Sequence, residues 1–130
     1  MDNEELLIPI SPGELIDKLT VLQLKIERLN DDNKLSNVLI EHKKLSEIWN
    51  NSSYSKHNIS EEWKSIYETN SELWDIIGSM HDKTKSFTDK DYAAIAKREC
   101  ELNDIRILAK RKINSKLNSG FVEEKSYING

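Results

Sequence analysis

Hydrophobic residues return every three or four positions along most of this chain, the rhythm of amphipathic helices rather than of strands. Leu15, Leu19, Leu22, Ile26 and Leu29 form the first stripe and predict a helix from Pro12 to about Asn30. Leu35, Val38, His42, Leu45 and Trp49 form a second stripe with the same rhythm and a shifted phase. The shift falls at Asn30-Asp31-Asp32-Asn33, so a helical hairpin is expected there, with a bent continuous helix as the alternative.

From Asn50 to Asn58 the period vanishes among turn-forming residues, which predicts the longest internal loop. Ser60 then stands as the cap of a third helix, with Glu61 and Glu62 set favourably against its dipole. Its stripe is Trp63, Ile66, Asn70, Leu73, Ile77 and Met80, flanked by Tyr67 and Trp74, and it ends near Lys85. Thr88 with Asp91 caps a fourth helix reaching about Asn118. Ile95, Leu102, Ile105, Ala109 and Ile113 mark one face of it, while Ala93, Ala94 and Ala96 permit a neighbour to approach closely. Gly120 reads as the stop, followed by a polar tail. The expected fold is all-α: an antiparallel four-helix bundle built from two helical hairpins, one domain over 1–130 with an arm at 1–10 and a tail at 119–130.

Composition narrows the function. With 130 residues, 37% hydrophobic and 32% charged, the chain can bury a core without disulfides or a structural metal. A formal net charge of −4 argues against general binding of nucleic-acid polymers, which needs a positive face. The lone Cys100 offers neither a disulfide nor a thiolate zinc site and reads as a small buried helix residue in a reducing compartment. The start is acidic, and the apolar run Leu6 to Ile10 is too short for a signal or a membrane segment. A cytoplasmic protein without membrane contact is expected.

The densest stretch is Ser11-Pro12-Gly13-Glu14-Leu15-Ile16-Asp17-Lys18-Leu19-Thr20. Ser11 suits an N-cap, Pro12 a first turn, and Glu14 the reciprocal half of a capping box. Asp17, Lys18 and Thr20 are left without a structural reason. His42 and Asn70 fall on apolar stripes, either as satisfied buried groups that fix register or as walls of a cavity. Glu99, Asn103, Arg106, Lys110 and Asn114 share one stripe of the fourth helix, which is either a solvated face or the side of a pocket.

No catalytic or metal motif accompanies them. Glu14/Asp17, Glu72/Asp75 and Glu101/Asp104 each set two carboxylates on one helical face, as in all-helical Mg²⁺-dependent pyrophosphohydrolases, but the upstream Glu-x-x-Glu of those enzymes is missing. His42, His57 and His81 lie on different elements at no ligand spacing, so neither a metal nor a cofactor is expected.

In Pro9–Thr20 followed by Lys25, in Asn70 with Leu73-Trp74, in Asn103-Asp104-Ile105-Arg106, in Lys110 with Ile113-Asn114 and in Glu124-Lys125-Ser126-Tyr127, the chain resembles an uncharacterised family of short bacterial and phage proteins, a domain of unknown function. The resemblance spans nearly the whole chain and departs at the acidic start and the polar loop near Tyr54. It implies no activity, and a weak association with sugar transfer.

These readings converge on a small helical module, without evident catalytic residues, that binds an anionic ligand such as a nucleotide or sugar nucleotide and sequesters it or regulates through it. Lys18, Lys25, Arg106, Lys110 and Lys125 would hold the phosphate, helped by backbone amides at the first helix start. Asn70, Asn103 and Asp104 would read the neutral part, and the tail would fold back to bring Lys125 and Tyr127 to the same place. One alternative is a metal-assisted enzyme on a phosphorylated substrate, with Glu14, Asp17 and Asp104 as acid, base or metal ligands and Lys18 or Arg106 stabilising charge. Another is a helical adaptor docking a partner protein. Trp49, Trp63 and Trp74 suggest more aromatic bulk than four modest helices hide, so a homodimer or higher homo-oligomer is expected.

Overall fold

The computed structural model describes residues 4–120, which form four α-helices and one 3₁₀ turn with no strand. The helices are α1 (Pro12–Arg28), α2 (Asp32–Asn51), α3 (Ser60–His81) and α4 (Asp89–Lys116). The expected tail from residue 121 onward lies outside the described residues, Lys125 and Tyr127 included.

Each boundary has a local cause. Ser11 caps α1, its hydroxyl accepting the Glu14 amide, and the Leu29 amide closes the last turn on the Lys25 carbonyl. The Asp31 carboxylate caps α2 by accepting the Lys34 amide, which breaks the chain into a hairpin rather than a bent helix. Turn formers after Trp49 do not make the long loop expected of them. Helix α2 runs on to Asn51, and a 3₁₀ turn at Ser53–Lys56 follows, secured by the Ser52 and Ser55 hydroxyls on the Trp49, Ser52 and Asn50 carbonyls. Ser60 is not the cap of α3. The Asn58 side chain takes that part, accepting both the amide and the hydroxyl of Ser60.

Helix α3 ends at His81, short of Lys85, and Thr88 with Asp91 closes a full capping box on α4. At the far end the stop is Asn118, not Gly120. Asn118 adopts a left-handed φ of 52°, and the Asn118 and Ser119 amides return to the Ser115 and Asn114 carbonyls in a Schellman closure.

Paired residues give the directions. Gly13 meets Asn114 and Asp17 meets Arg106, so α1 and α4 are antiparallel; Glu62 meets Lys116 and Glu72 meets Arg98, so α3 and α4 are antiparallel as well. The helices therefore run up, down, up, down as a four-helix bundle. Helix α1 is its hub, packed by α2, α3 and α4, whereas α2 packs chiefly on α1.

That hub position explains burial a single stripe does not predict. Ile16 and Leu24 of α1 are as buried as its expected stripe residues because a different neighbour covers each side. The main core gathers at the α1 start from Leu15, Ile16, Leu19, Ile59, Ile66, Ala109, Ile113 and Leu117, with Trp49, Tyr54 and Trp63 against its edge. The expected α2 stripe does face inward, yet all five of its members are only half-buried, His42 included.

Length mismatch settles the opposite end. At 1.5 Å per residue, 28-residue α4 is about 42 Å long and 17-residue α1 about 26 Å, so the first turns of α4 and the last of α3 run past the hub. Ile77, Met80 and Tyr92 are exposed there, as are Ala93, Ala94 and Ala96. Cys100 is exposed too, contrary to the buried position expected of it.

Candidate functional site

The polar residues of the α1 start converge on α3 and α4. Asp17, with its side chain 2% exposed, accepts from Arg106 Nε at 2.9 Å and Nη2 at 2.6 Å, and from Asn70 Nδ2 at 2.9 Å. Asn70 gives a second bond to Thr20 Oγ1 at 2.9 Å, and the Thr20 hydroxyl donates to the Asp17 carbonyl at 2.7 Å. Lys110 Nζ donates to Glu14 Oε2 at 2.8 Å and lies 3.7 Å from Asp17 Oδ2. One turn nearer the helix start, the Gly13 amide donates to Asn114 Oδ1 at 2.8 Å.

Gly13 makes this approach possible. A Cβ there would sit 2.6 Å from the Lys110 carbonyl oxygen and 2.9 Å from Asn114 Oδ1, so the α1–α4 contact tolerates no side chain. Burial pushes the Asp17 carboxyl up, but hydrogen bonds from Arg106 and Asn70, with the charges of Arg106 and Lys110, outweigh it and hold the group below the usual carboxylate range.

Two features expected of the helix start are absent for the same reason. Glu14 does not complete a capping box, because its carboxylate is drawn to the Lys110 ammonium across the interface. The first amides are not left for a phosphate either: Gly13 gives its own to Asn114 and Glu14 gives its own to Ser11.

Beside this network α1, α2 and α4 enclose an open cleft of about 280 Å³, lined by Glu14, Asp17, Lys18, Val21, Leu22, Lys25, Glu41 and Arg106. Lys18 is exposed and Lys25 half-buried. Neither forms an ion pair within the described residues, while the neighbouring Glu14 and Asp17 are taken by Lys110 and Arg106.

The structure thus brings Lys18, Lys25 and Arg106 to one cleft and sets Asn70 and Lys110 behind it as buried groups bonded within the fold. Asn103 and Asp104 are half-buried on α4 outside the cleft lining. Sequence reasoning did not single out Glu41, which stands across from the lysines; its only signal was its place beside the α2 stripe.

Five of the six carboxylates in the Glu-x-x-Asp pairs are engaged by basic side chains. Glu14 and Asp17 turn to Lys110 and Arg106, Glu72 and Asp75 to Arg98 and Arg28, and Glu101 to Arg98. Among the described residues no three His, Cys, Asp or Glu side chains gather where they could hold a metal ion. No described helix is long and apolar enough to cross a membrane.

A family model described as "Family of unknown function (DUF6165)" matches residues 6–130, a span that takes in α1 to α4 and every residue of this network. The chain belongs to that family. No curated protein and no solved structure matches the chain. Membership in DUF6165 therefore fixes kinship without naming a reaction, and the geometry of the cleft is what bears on function.

Proposed function

We propose that this DUF6165 protein is a helical binding module for a phosphorylated small molecule, seated in the α1–α2–α4 cleft. Lys18 and Lys25 would supply the charge. They stand two turns apart on one stripe of α1, and each carries a flexible stem that lets its ammonium group swing onto a phosphate or diphosphate.

The observation that supports this reading is the contrast in pairing. Carboxylates hold Arg106 and Lys110 in place, whereas the two lysines beside them face the cleft with no counter-ion among the described residues. Arg106 forms a rigid positive edge, oriented by Asp17, while Glu41 opposite would accept from a hydroxyl or amine of the ligand and disfavour a second phosphate. Two of the three carboxylates an enzyme would use as acid, base or metal ligands, Glu14 and Asp17, are committed to cations, which favours binding over catalysis.

The weak association with sugar transfer that the resemblance implies makes a nucleotide sugar the first ligand to try. Native mass spectrometry of the protein purified from cells, beside a denatured control, tests the reading. An adduct of phosphorylated-metabolite mass that disappears on denaturation supports it. If adducts are absent and inorganic phosphate, a nucleoside diphosphate and a nucleotide sugar, each added at millimolar concentration, also fail to bind, the reading fails.

A further inference from the structure

Helix α2 contributes no buried residue, although amphipathic helices take most of their stability from a packed face. Its inner stripe is half-buried on α1, and a second apolar set lies on its outside: Leu39 is 47% exposed, Ile40 66% and Ile48 50%. Ile40, Lys44 and Ile48 are four residues apart, one above the other on the same outer stripe. The N-terminal arm shows the same anomaly. Leu6, Leu7 and Ile8 are 86%, 89% and 75% exposed in non-helical chain, anchored at one end by Ile10 against the core and at the other by an ion pair from Glu5 to Lys44.

The arm is therefore tethered beside α2 with its apolar side chains exposed, while the helix shows an uncovered apolar stripe on either side of the lysine that holds the arm. We infer that the occupant of this surface is a second copy of the chain, in an arm-exchanged dimer in which Leu6, Leu7 and Ile8 of each subunit cover Leu39, Ile40 and Ile48 of the other. A two-fold arrangement pairs arm with stripe twice, so both exposed sets are buried by one operation.

Charge and area agree with that occupant. The stripe's border is mixed, with Glu41 and Glu47 beside Lys43 and Lys44, and the specific attraction is the Glu5–Lys44 pair seen within one chain, which exchange would carry across the interface. A side chain of this size buries on the order of 100 Å², so six from each of two copies give about 1,000 Å² or somewhat more, the size at which specific interfaces begin. The Lys18–Lys25 cleft faces α2 at Glu41, and this inference stands whether or not that cleft binds a ligand.

Sedimentation velocity at micromolar concentration tests it on three proteins: wild type, Leu6→Ser/Leu7→Ser, and Ile40→Lys/Ile48→Lys. All four positions are solvent-facing, so far-ultraviolet circular dichroism should be the same for the three. The expected result is a dimeric wild type, with each double variant dissociating at least about tenfold more readily. A monomeric wild type overturns the inference, and so does a dimer that survives either double substitution.

Discussion

Arg106 reaches Asp17 with two near-parallel hydrogen bonds, 2.9 Å from Nε and 2.6 Å from Nη2, joining residues 89 positions apart in the chain. The anion is the more deeply buried partner: 2% of the Asp17 side chain is exposed against 31% of the Arg106 side chain. Truncating Arg106 would strand a carboxylate in the bundle with Asn70 and the more distant Lys110 as its remaining donors. Arg106→Ala should cost about 3 kcal/mol in urea unfolding. Asp17→Leu with Arg106→Met should cost less than Arg106→Ala alone, since no buried charge is left without its partner and Asn70 keeps its bond to Thr20.

Gly13 predicts a steric effect independent of charge. In Gly13→Ala the new methyl group meets the Lys110 carbonyl, a backbone atom that cannot rotate away. The α1–α4 spacing must widen and stretch the Gly13–Asn114 bond, at a cost of about 2 kcal/mol by denaturant unfolding. Gly78, whose Cβ position is open, should accept the same change with no loss, and a helix-interior Gly→Ala exchange there should add a few tenths of a kcal/mol or more.

Acid should act through Asp17. Its carboxyl is depressed in the folded protein from an ordinary value of 3.8, so the unfolded chain binds more protons as the pH falls, and stability rises with pH across this range. The contribution is fully present above 3.8 and drains away as the pH drops below it towards the folded value. Unfolding midpoints measured from pH 6 downward should fall more steeply for wild type than for Asp17→Asn, which has no proton to gain at that site.

The left-handed turn at Asn118 gives a control at the end of α4. Asn118→Ala places a side chain without local hydrogen-bonding capacity in that conformation and should cost about 1 kcal/mol, while Asn118→Gly should be neutral or slightly stabilising in thermal unfolding.

Much of the fold is legible in residue spacing because three of the four helices carry a clear apolar period, and Asp31 and the Thr88–Asp91 box act at short range. What escapes is whatever depends on which helix neighbours which. Leu24 is buried because α1 is a hub, Ile77 is exposed because α3 outruns it, Cys100 is exposed on a side of α4 that no neighbour buries, and Asn118 takes the turn that Gly120 advertises. The polar positions were legible as a set, since Asn70 interrupts an apolar stripe, Asp17 and Thr20 exceed what a helix start needs, and Arg106 and Lys110 share a polar stripe of the fourth helix. Their division into buried partners and cleft lining was not, because one dimension does not show that Asp17 selects Arg106 and Glu14 selects Lys110, leaving Lys18 and Lys25 for something else.

The most direct test of the central claim is isothermal titration of a nucleotide sugar or nucleoside diphosphate into wild-type protein and into Lys18→Ala/Lys25→Ala, with Lys83→Ala/Lys90→Ala, at two exposed positions, as a control of equal charge. Predicted is binding by wild type and control that weakens with added salt and falls at least about tenfold in the cleft variant, with unfolding free energy unchanged. Equal affinity in the cleft variant and the control would contradict the account, since the phosphate would then be held elsewhere than by the two lysines that face this cleft.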